Sequence, residues 1–153
     1  MFKINISEKS GKTFHLESEA EMIIGKALKE KIEGKIISPD LEGYEFEIAG
    51  TSDRAGLTSM EDVEGIGLKR VLLTYGKAMH KRSRREGKKK RSNFTPSGLR
   101  LRKTVRGKII SPEIVQINLK ILKEGNKKLS DIFPEQNQPK QKAEAKPAEI
   151  PAQ

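Results

Sequence analysis

Apolar and polar residues alternate with period two along much of the chain. Phe2, Ile4 and Ile6 are separated by Lys3 and Asn5, Phe14 and Leu16 flank His15, and Tyr44, Phe46 and Ile48 alternate with Glu45 and Glu47. Successive side chains of a strand point to opposite faces, so each segment predicts a half-buried antiparallel strand. The same rhythm returns in Val71, Leu73 and Tyr75. It recurs in Leu99, Leu101 and Val105 set against Arg100, Arg102, Thr104 and Arg106, and in Val115, Ile117, Leu119 and Ile121 set against Gln116, Asn118 and Lys120. The pattern predicts a mainly β domain. One segment follows another period: within 20–32, Ile24, Leu28 and Ile32 lie four apart, which predicts one short helix or helical turn. Gly25 inside it costs about 1 kcal/mol relative to Ala.

A repeat suggests how the strands are organised. Gly34-Lys-Ile-Ile-Ser-Pro-Asp40 recurs as Gly107-Lys-Ile-Ile-Ser-Pro-Glu113, and an alternating strand follows each copy. Two related halves predict a small closed β-barrel with a pseudo-twofold internal repeat, an arrangement that removes exposed sheet edges. The competing reading is that Ser-Pro-acidic sequences favour turns anywhere.

Composition bounds the size of the core. The chain has 153 residues, of which 34% are hydrophobic, enough for one domain with a modest interior. We expect the barrel domain at 1–125, a short docked turn at 126–133 using Leu129, Ile132 and Phe133, and a disordered Lys/Glu/Pro/Gln/Ala tail at 134–153. That tail has Pro134, Pro139, Pro147 and Pro151 and too few large apolar side chains to offset the entropy of ordering it. With no Cys and only His15 and His80, disulfides, thiolate sites and an imidazole metal cluster are excluded, and no metal or other cofactor is expected. No apolar run reaches the roughly 20 residues a membrane span needs, and the N-terminus has no signal-peptide core. A cytoplasmic protein without a membrane partner is the expectation.

Charge changes the picture most. The net charge is +10. Residues 1–68 carry 8 basic and 14 acidic side chains, residues 69–108 carry 16 and 1, and residues 109–153 carry 7 and 6. A forty-residue segment at +15 in an otherwise slightly acidic chain predicts a directed surface for a polyanion. Its centre, a basic loop at 77–98, lacks apolar periodicity, and β-type alternation resumes only at Leu99. Arg100, Arg102 and Arg106 share one face of that strand at two-residue spacing, about 6.7 Å between neighbours. The candidate phosphate ligands are Lys81, Arg82, Arg84, Arg85, Lys88, Lys89, Lys90, Arg91, Arg100, Arg102, Lys103 and Arg106. Without a recognition helix, zinc finger or basic zipper, phosphate and shape recognition of folded RNA fits better than sequence-specific DNA reading, and a stand-alone barrel regulator binding DNA is the alternative. A lipid surface would call for an amphipathic apolar face that the basic stretch lacks.

Catalytic chemistry finds little support. Gly65-Ile-Gly67 and Gly76-Lys77 are not phosphate loops of the Walker kind, since no Gly-Lys-Ser/Thr follows at the required spacing. Asp53, Glu61, Asp62 and Glu64 have no His or metal companion in the pattern. His15 falls in the polar register of a strand and His80 in the basic segment, which suits surface or RNA-contacting roles. No catalytic residue, enzyme activity or small-molecule substrate is expected.

Three blocks in collinear order carry a resemblance. They are Leu41-Glu-Gly-Tyr-Glu-Phe-Glu-Ile-Ala-Gly-Thr-Ser-Asp-Arg-Ala-Gly56, Lys69-Arg-Val-Leu-Leu-Thr-Tyr-Gly76, and Leu101-Arg-Lys-Thr-Val-Arg-Gly-Lys-Ile-Ile-Ser-Pro-Glu-Ile-Val-Gln-Ile-Asn-Leu-Lys-Ile121. Over about residues 1–125 the chain resembles the archaeal and eukaryotic family of small ribosomal subunit protein six, not the bacterial protein of the same number. The resemblance implies a β-barrel ribosomal protein without enzymatic activity, bound as a monomer within the ribosome to small-subunit ribosomal RNA and neighbouring ribosomal proteins. The long basic C-terminal helix of the eukaryotic members has no counterpart in 126–153, which favours an archaeal member. Where the family usually has Gly-Gly-Ser-Asp, this chain reads Gly50-Thr-Ser-Asp53.

Overall fold

The computed structural model describes residues 1–80 and 97–137. Seven strands occur among them: β1 (Phe2–Ser7), β2 (Thr13–Ser18), β3 (Lys31–Glu33), β4 (Glu45–Asp53), β5 (Leu68–Thr74), β6 (Arg100–Arg106) and β7 (Ile114–Lys123). They form a five-stranded sheet in the order β2-β1-β7-β4-β3 and a two-stranded ribbon of β5 and β6. In the sheet β1 and β7 run parallel, with Ile4 beside Ile117 and Ile6 beside Leu119; every other pairing is antiparallel.

The alternation read from the sequence is what assembles this sheet. Ile4, Ile6, Phe46, Ile48, Ile117 and Leu119 all lie on one face and are fully buried. At about 1.5–3 kcal/mol for each side chain removed from water, this face dominates the energetics of the fold. On the opposite face Asn5 Nδ2 donates to Asn118 Oδ1 at 2.8 Å and Gln116 Nε2 to the same oxygen at 2.9 Å, bonds of only about 1 kcal/mol each. A one-residue slip of β1 would exchange the two faces, so register is strongly specified.

Among the described residues the strand ladders do not close into the barrel expected from the repeat. β2 and β3 end the five-strand order without pairing to each other, and β5–β6 stands as a separate ribbon. Short bridges join ribbon to sheet instead. Ser59 N–H donates to Thr51 O, Arg106 N–H to Thr58 O and Met60 N–H to Arg106 O, so residues 58–60 lie between β4 and β6. The repeated heptapeptides share burial and a turn at their end, Leu41 N–H donating to Ser38 O in the first and Ile114 N–H to Ser111 O in the second, and differ before it. Ile37 and Ile110, at equivalent positions, are both buried. The first copy winds through 3₁₀ turns at Gly34–Ile36 and Pro39–Leu41, whereas the second is extended and bridges Ala27 through Ile109.

That bridge also explains why 20–32 is not a helix. Gly25 N–H and Leu28 N–H donate to Ile110 O and Lys108 O, and Lys26 O accepts from Ile110 N–H, each at 2.9 Å. Backbone groups a helix would use internally are committed to the second repeat. Gly25 and Lys29 adopt positive φ, and only Glu21–Ile23 forms a 3₁₀ turn. Ile23, Leu28 and Ile32 are buried while Ile24 is exposed.

At the C-terminal end, α1 (Leu129–Ile132) buries Leu129, and the Phe133 ring packs on Phe14 with centroids 5.9 Å apart. Residues 134–137, at the start of the stretch expected to be disordered, are among the described ones. Gln136 Oε1 accepts from His15 N–H and Gln136 Nε2 donates to His15 O, both at 2.7 Å, while Asn137 Nδ2 donates to Thr13 O at 2.9 Å. Side-chain amides here supply the bonds that a neighbouring strand would supply to the outer edge of β2. Residues 138–153 lie outside the described ones.

One buried ion pair ties ribbon to sheet. Arg106 Nε donates to Asp53 Oδ2 at 2.8 Å, with both side chains at least nine-tenths buried, and Arg106 Nη2 lies 2.5 Å from Glu113 Oε2. Burial alone would raise the Asp53 carboxyl. The Arg106 hydrogen bond, the Leu57 N–H and the guanidinium charge outweigh it and hold the group below the usual carboxylate range. The Asp53 bond in turn raises Arg106.

Two predictions concern the fold. A Cβ on Gly107 would stand 1.9 Å from Gly65 O and one on Gly34 2.1 Å from Leu41 O, both immovable backbone atoms. Gly107→Ala and Gly34→Ala should each destabilise by at least about 1–3 kcal/mol in denaturant unfolding. Gly50→Ala, where nothing lies within 4 Å, should be near neutral. Secondly, the folded pKa of Asp53 lies below its unfolded value. Its stabilisation is therefore present above the unfolded value, about pH 4, and is lost as pH falls through the folded one. Asp53→Asn should cost about 3 kcal/mol at neutral pH and flatten the stability profile below about pH 4, as measured by calorimetry across pH.

Candidate nucleic-acid interface

The β5–β6 ribbon carries the charge. Its register sets Leu68 opposite Arg106, Arg70 opposite Thr104, Leu72 opposite Arg102 and Thr74 opposite Arg100. These eight residues share one face. The other face holds Lys69, Val71 and Leu73 against Val105, Lys103 and Leu101. There Val105 is buried and Val71, Leu73 and Leu101 are half-buried, so this is the face turned inward. Alternation thus leaves Arg70, Arg100 and Arg102 outward and exposed. Lys69 and Lys103 belong to the inner register, yet both remain exposed.

Arg106 continues the row by parity but not by exposure. It is only 7% exposed, because the strand end dips between β4 and Glu113 and the guanidinium is engaged by Asp53 and Glu113. The expectation that it faces a polyanion is corrected: it is a structural cation. Arg100, Arg102, Lys103, Arg70 and Lys69 form no ion pair with any acid among the described residues. Lys69 and Arg70 were counted in the charged segment without being singled out. The signal for Arg70 was its position two residues from Leu68 and Leu72, which fixes it on the face of Arg102.

The expected ligands Lys81, Arg82, Arg84, Arg85, Lys88, Lys89, Lys90 and Arg91 lie outside the described residues. The chain leads toward them from the ribbon end through a tight turn, with Gly76 N–H bonded to Met79 O and Met79 N–H to Gly76 O. The fully buried Met79 anchors this turn, and the Tyr75 and His80 rings meet edge to face at 5.8 Å. β5 and β6 are joined through residues 75–99, of which 81–96 lie outside the described ones.

Three of the four acids Asp53, Glu61, Asp62 and Glu64 are held in ion pairs. Asp53 is in the buried pair, Glu61 lies 3.3 Å from Lys77 and 3.9 Å from Lys29, and Glu64 lies 3.5 Å from Lys108. Among the described residues no group of three or more His, Asp or Glu side chains is placed to hold a metal ion. His15 Nδ1 lies 2.6 Å from Asn5 Oδ1 on the polar face of the sheet.

Comparison with known proteins agrees with this geometry. The family model described as Ribosomal protein S6e matches residues 2–134. The chain is similar to small ribosomal subunit protein eS6 of Methanococcus maripaludis, 36% identical over 126 residues that cover 82% of this chain and 90% of the relative. It is likewise similar to the proteins of that name from Methanocaldococcus jannaschii, 36% identical with 82% and 84% covered, and Archaeoglobus fulgidus, 34% identical with 86% and 95% covered. With the match running from β1 through α1 and the similarity spanning most of both chains, the protein belongs to the ribosomal protein S6e family, of the archaeal type.

Proposed function

We propose that this protein is a structural constituent of the small ribosomal subunit that holds ribosomal RNA electrostatically and catalyses no reaction. The observation that carries the reading is the exposed cation set of the ribbon, Arg70, Arg100, Arg102 and Lys103, unpaired with any acid among the described residues, on a fold whose relatives are named as small-subunit proteins. The sheet and its core form the platform. The ribbon and the basic stretch from Lys81 to Arg91 neutralise phosphates, releasing the counterions condensed on the RNA. The protein works on the ribosome in the cytoplasm, as a single copy among neighbouring ribosomal proteins. A closed barrel completed by segments beyond the described ladders and a pseudo-twofold relation between the two heptapeptides belong to the same reading.

Eight phosphate contacts imply that log affinity for an rRNA fragment falls against log salt with a slope of about −6 to −7. A slope near −1 would contradict the mechanism. Arg100→Ala combined with Arg102→Ala should reduce the slope by about 1.5 and leave the melting temperature unchanged. Arg106→Ala should instead lower the melting temperature. In gradient sedimentation of a cell extract the protein should travel with small subunits; a free or DNA-bound pool would favour a DNA-binding regulator.

A further inference from the structure

The outward face of the ribbon is not simply basic. Leu68 is 51% exposed and Leu72 55%, the largest exposed aliphatic surface on any strand of the described structure. Leu72 sits directly across from Arg102, with Arg70 and Thr74 two residues away on its own strand and Thr104 and Arg100 diagonal to it. A leucine at the middle of three arginines and two threonines, with no acid in either strand, is an unusual surface. Among the described residues Leu68 and Leu72 stay open to solvent, since the core and the inner ribbon face are closed by other side chains.

We propose that this face docks in the shallow groove of an RNA helix, with Leu72 and Leu68 packed against riboses while Arg70, Arg100 and Arg102 take the phosphates on either side; this rests on the RNA-binding reading above. The chemistry of the surface matches that of a nucleic-acid strand, which alternates an anionic phosphate with a largely apolar sugar. Arg100 and Arg102, at two-residue spacing, stand about 6.7 Å apart, comparable to successive phosphates, and Leu72 lies directly across from Arg102. The Thr74 and Thr104 hydroxyls, which donate and accept, suit the 2′-hydroxyls that line the wide, shallow groove of A-form RNA. Side chains cannot read the deep, narrow opposite groove, whereas the wide, shallow one is open to a two-stranded ribbon. An acidic protein partner would satisfy the arginines but would leave two isolated leucines without the contiguous apolar patch a protein interface core uses.

The test compares the full chain with Leu68→Gln/Leu72→Gln for binding to a short RNA hairpin and to a DNA hairpin of matching sequence, across salt. The inference expects the variant to lose about tenfold in RNA affinity, the order expected from uncovering two half-exposed leucines, with the salt slope and the DNA affinity unchanged. Melting temperature checks the fold, and Leu72→Ala, a smaller change, should give a lesser loss in the same direction. RNA affinity equal to that of the unaltered protein in both variants would overturn the inference while leaving the electrostatic reading intact. Equal loss on RNA and DNA would overturn the groove assignment. Failure of the unaltered protein to bind RNA at all would instead remove the proposed function itself. Unchanged RNA binding with loss of a neighbouring protein from reconstituted subunits would assign the face to a protein partner and overturn the proposal.

Discussion

The placement of the ribbon depends on one buried interaction, the guanidinium of Arg106 against the carboxylate of Asp53. β5 and β6 share no ladder with the main sheet. What fixes them is residues 58–60, hydrogen-bonded to both β4 and β6, and this ion pair beside them. A buried pair contributes little net stability against a hydrophobic replacement, because desolvation offsets much of the attraction. Its effect is on position. A ribbon register that took Arg106 away would leave the Asp53 carboxylate buried without its cation, so alternative registers of the ribbon are disfavoured. Three arginines on one face of β6 are thereby divided: Arg106 is a strut, and Arg100 and Arg102 are presented outward.

Much of the fold was legible in the sequence because period-two alternation maps directly onto burial. Phe2, Ile4, Ile6, Phe46, Ile48, Ile117 and Leu119 all sit in the core as their spacing requires. What failed was whatever depended on distant partners. The four-residue spacing of Ile24, Leu28 and Ile32 resembles a helix stripe, but the 107–113 segment takes the backbone hydrogen bonds of 25–28, and tertiary pairing overrides the local period. Closure of the sheet could not be read from strand number alone. Likewise, polar composition after 134 concealed that Gln136 and Asn137 are placed to bond the edge of β2.

The same limit governs the candidate site. Charge counting located the basic segment, and parity placed Arg100 and Arg102 on one face. Parity could not tell that Arg106 is buried, because the acid that meets it is fifty-three residues away in the chain. The exposed leucines went unremarked for the opposite reason. Alternation was scored on Val71, Leu73 and Tyr75, so Leu68 and Leu72 in the polar register passed as incidental. Their register with Arg102 and Arg106 gives them meaning only once the ribbon is formed.

The central claim is that the cations of β6 divide into one structural arginine and two that meet RNA. Side-chain NMR of the arginine Nε–H groups, recorded during titration with an rRNA fragment, tests this most directly. The account predicts that Arg106 is slowly exchanging in the free protein and does not shift on addition of RNA, whereas Arg100 and Arg102 exchange freely and then shift and become protected. An Arg106 signal that exchanges at the solvent rate, or moves together with Arg100 and Arg102, would contradict it.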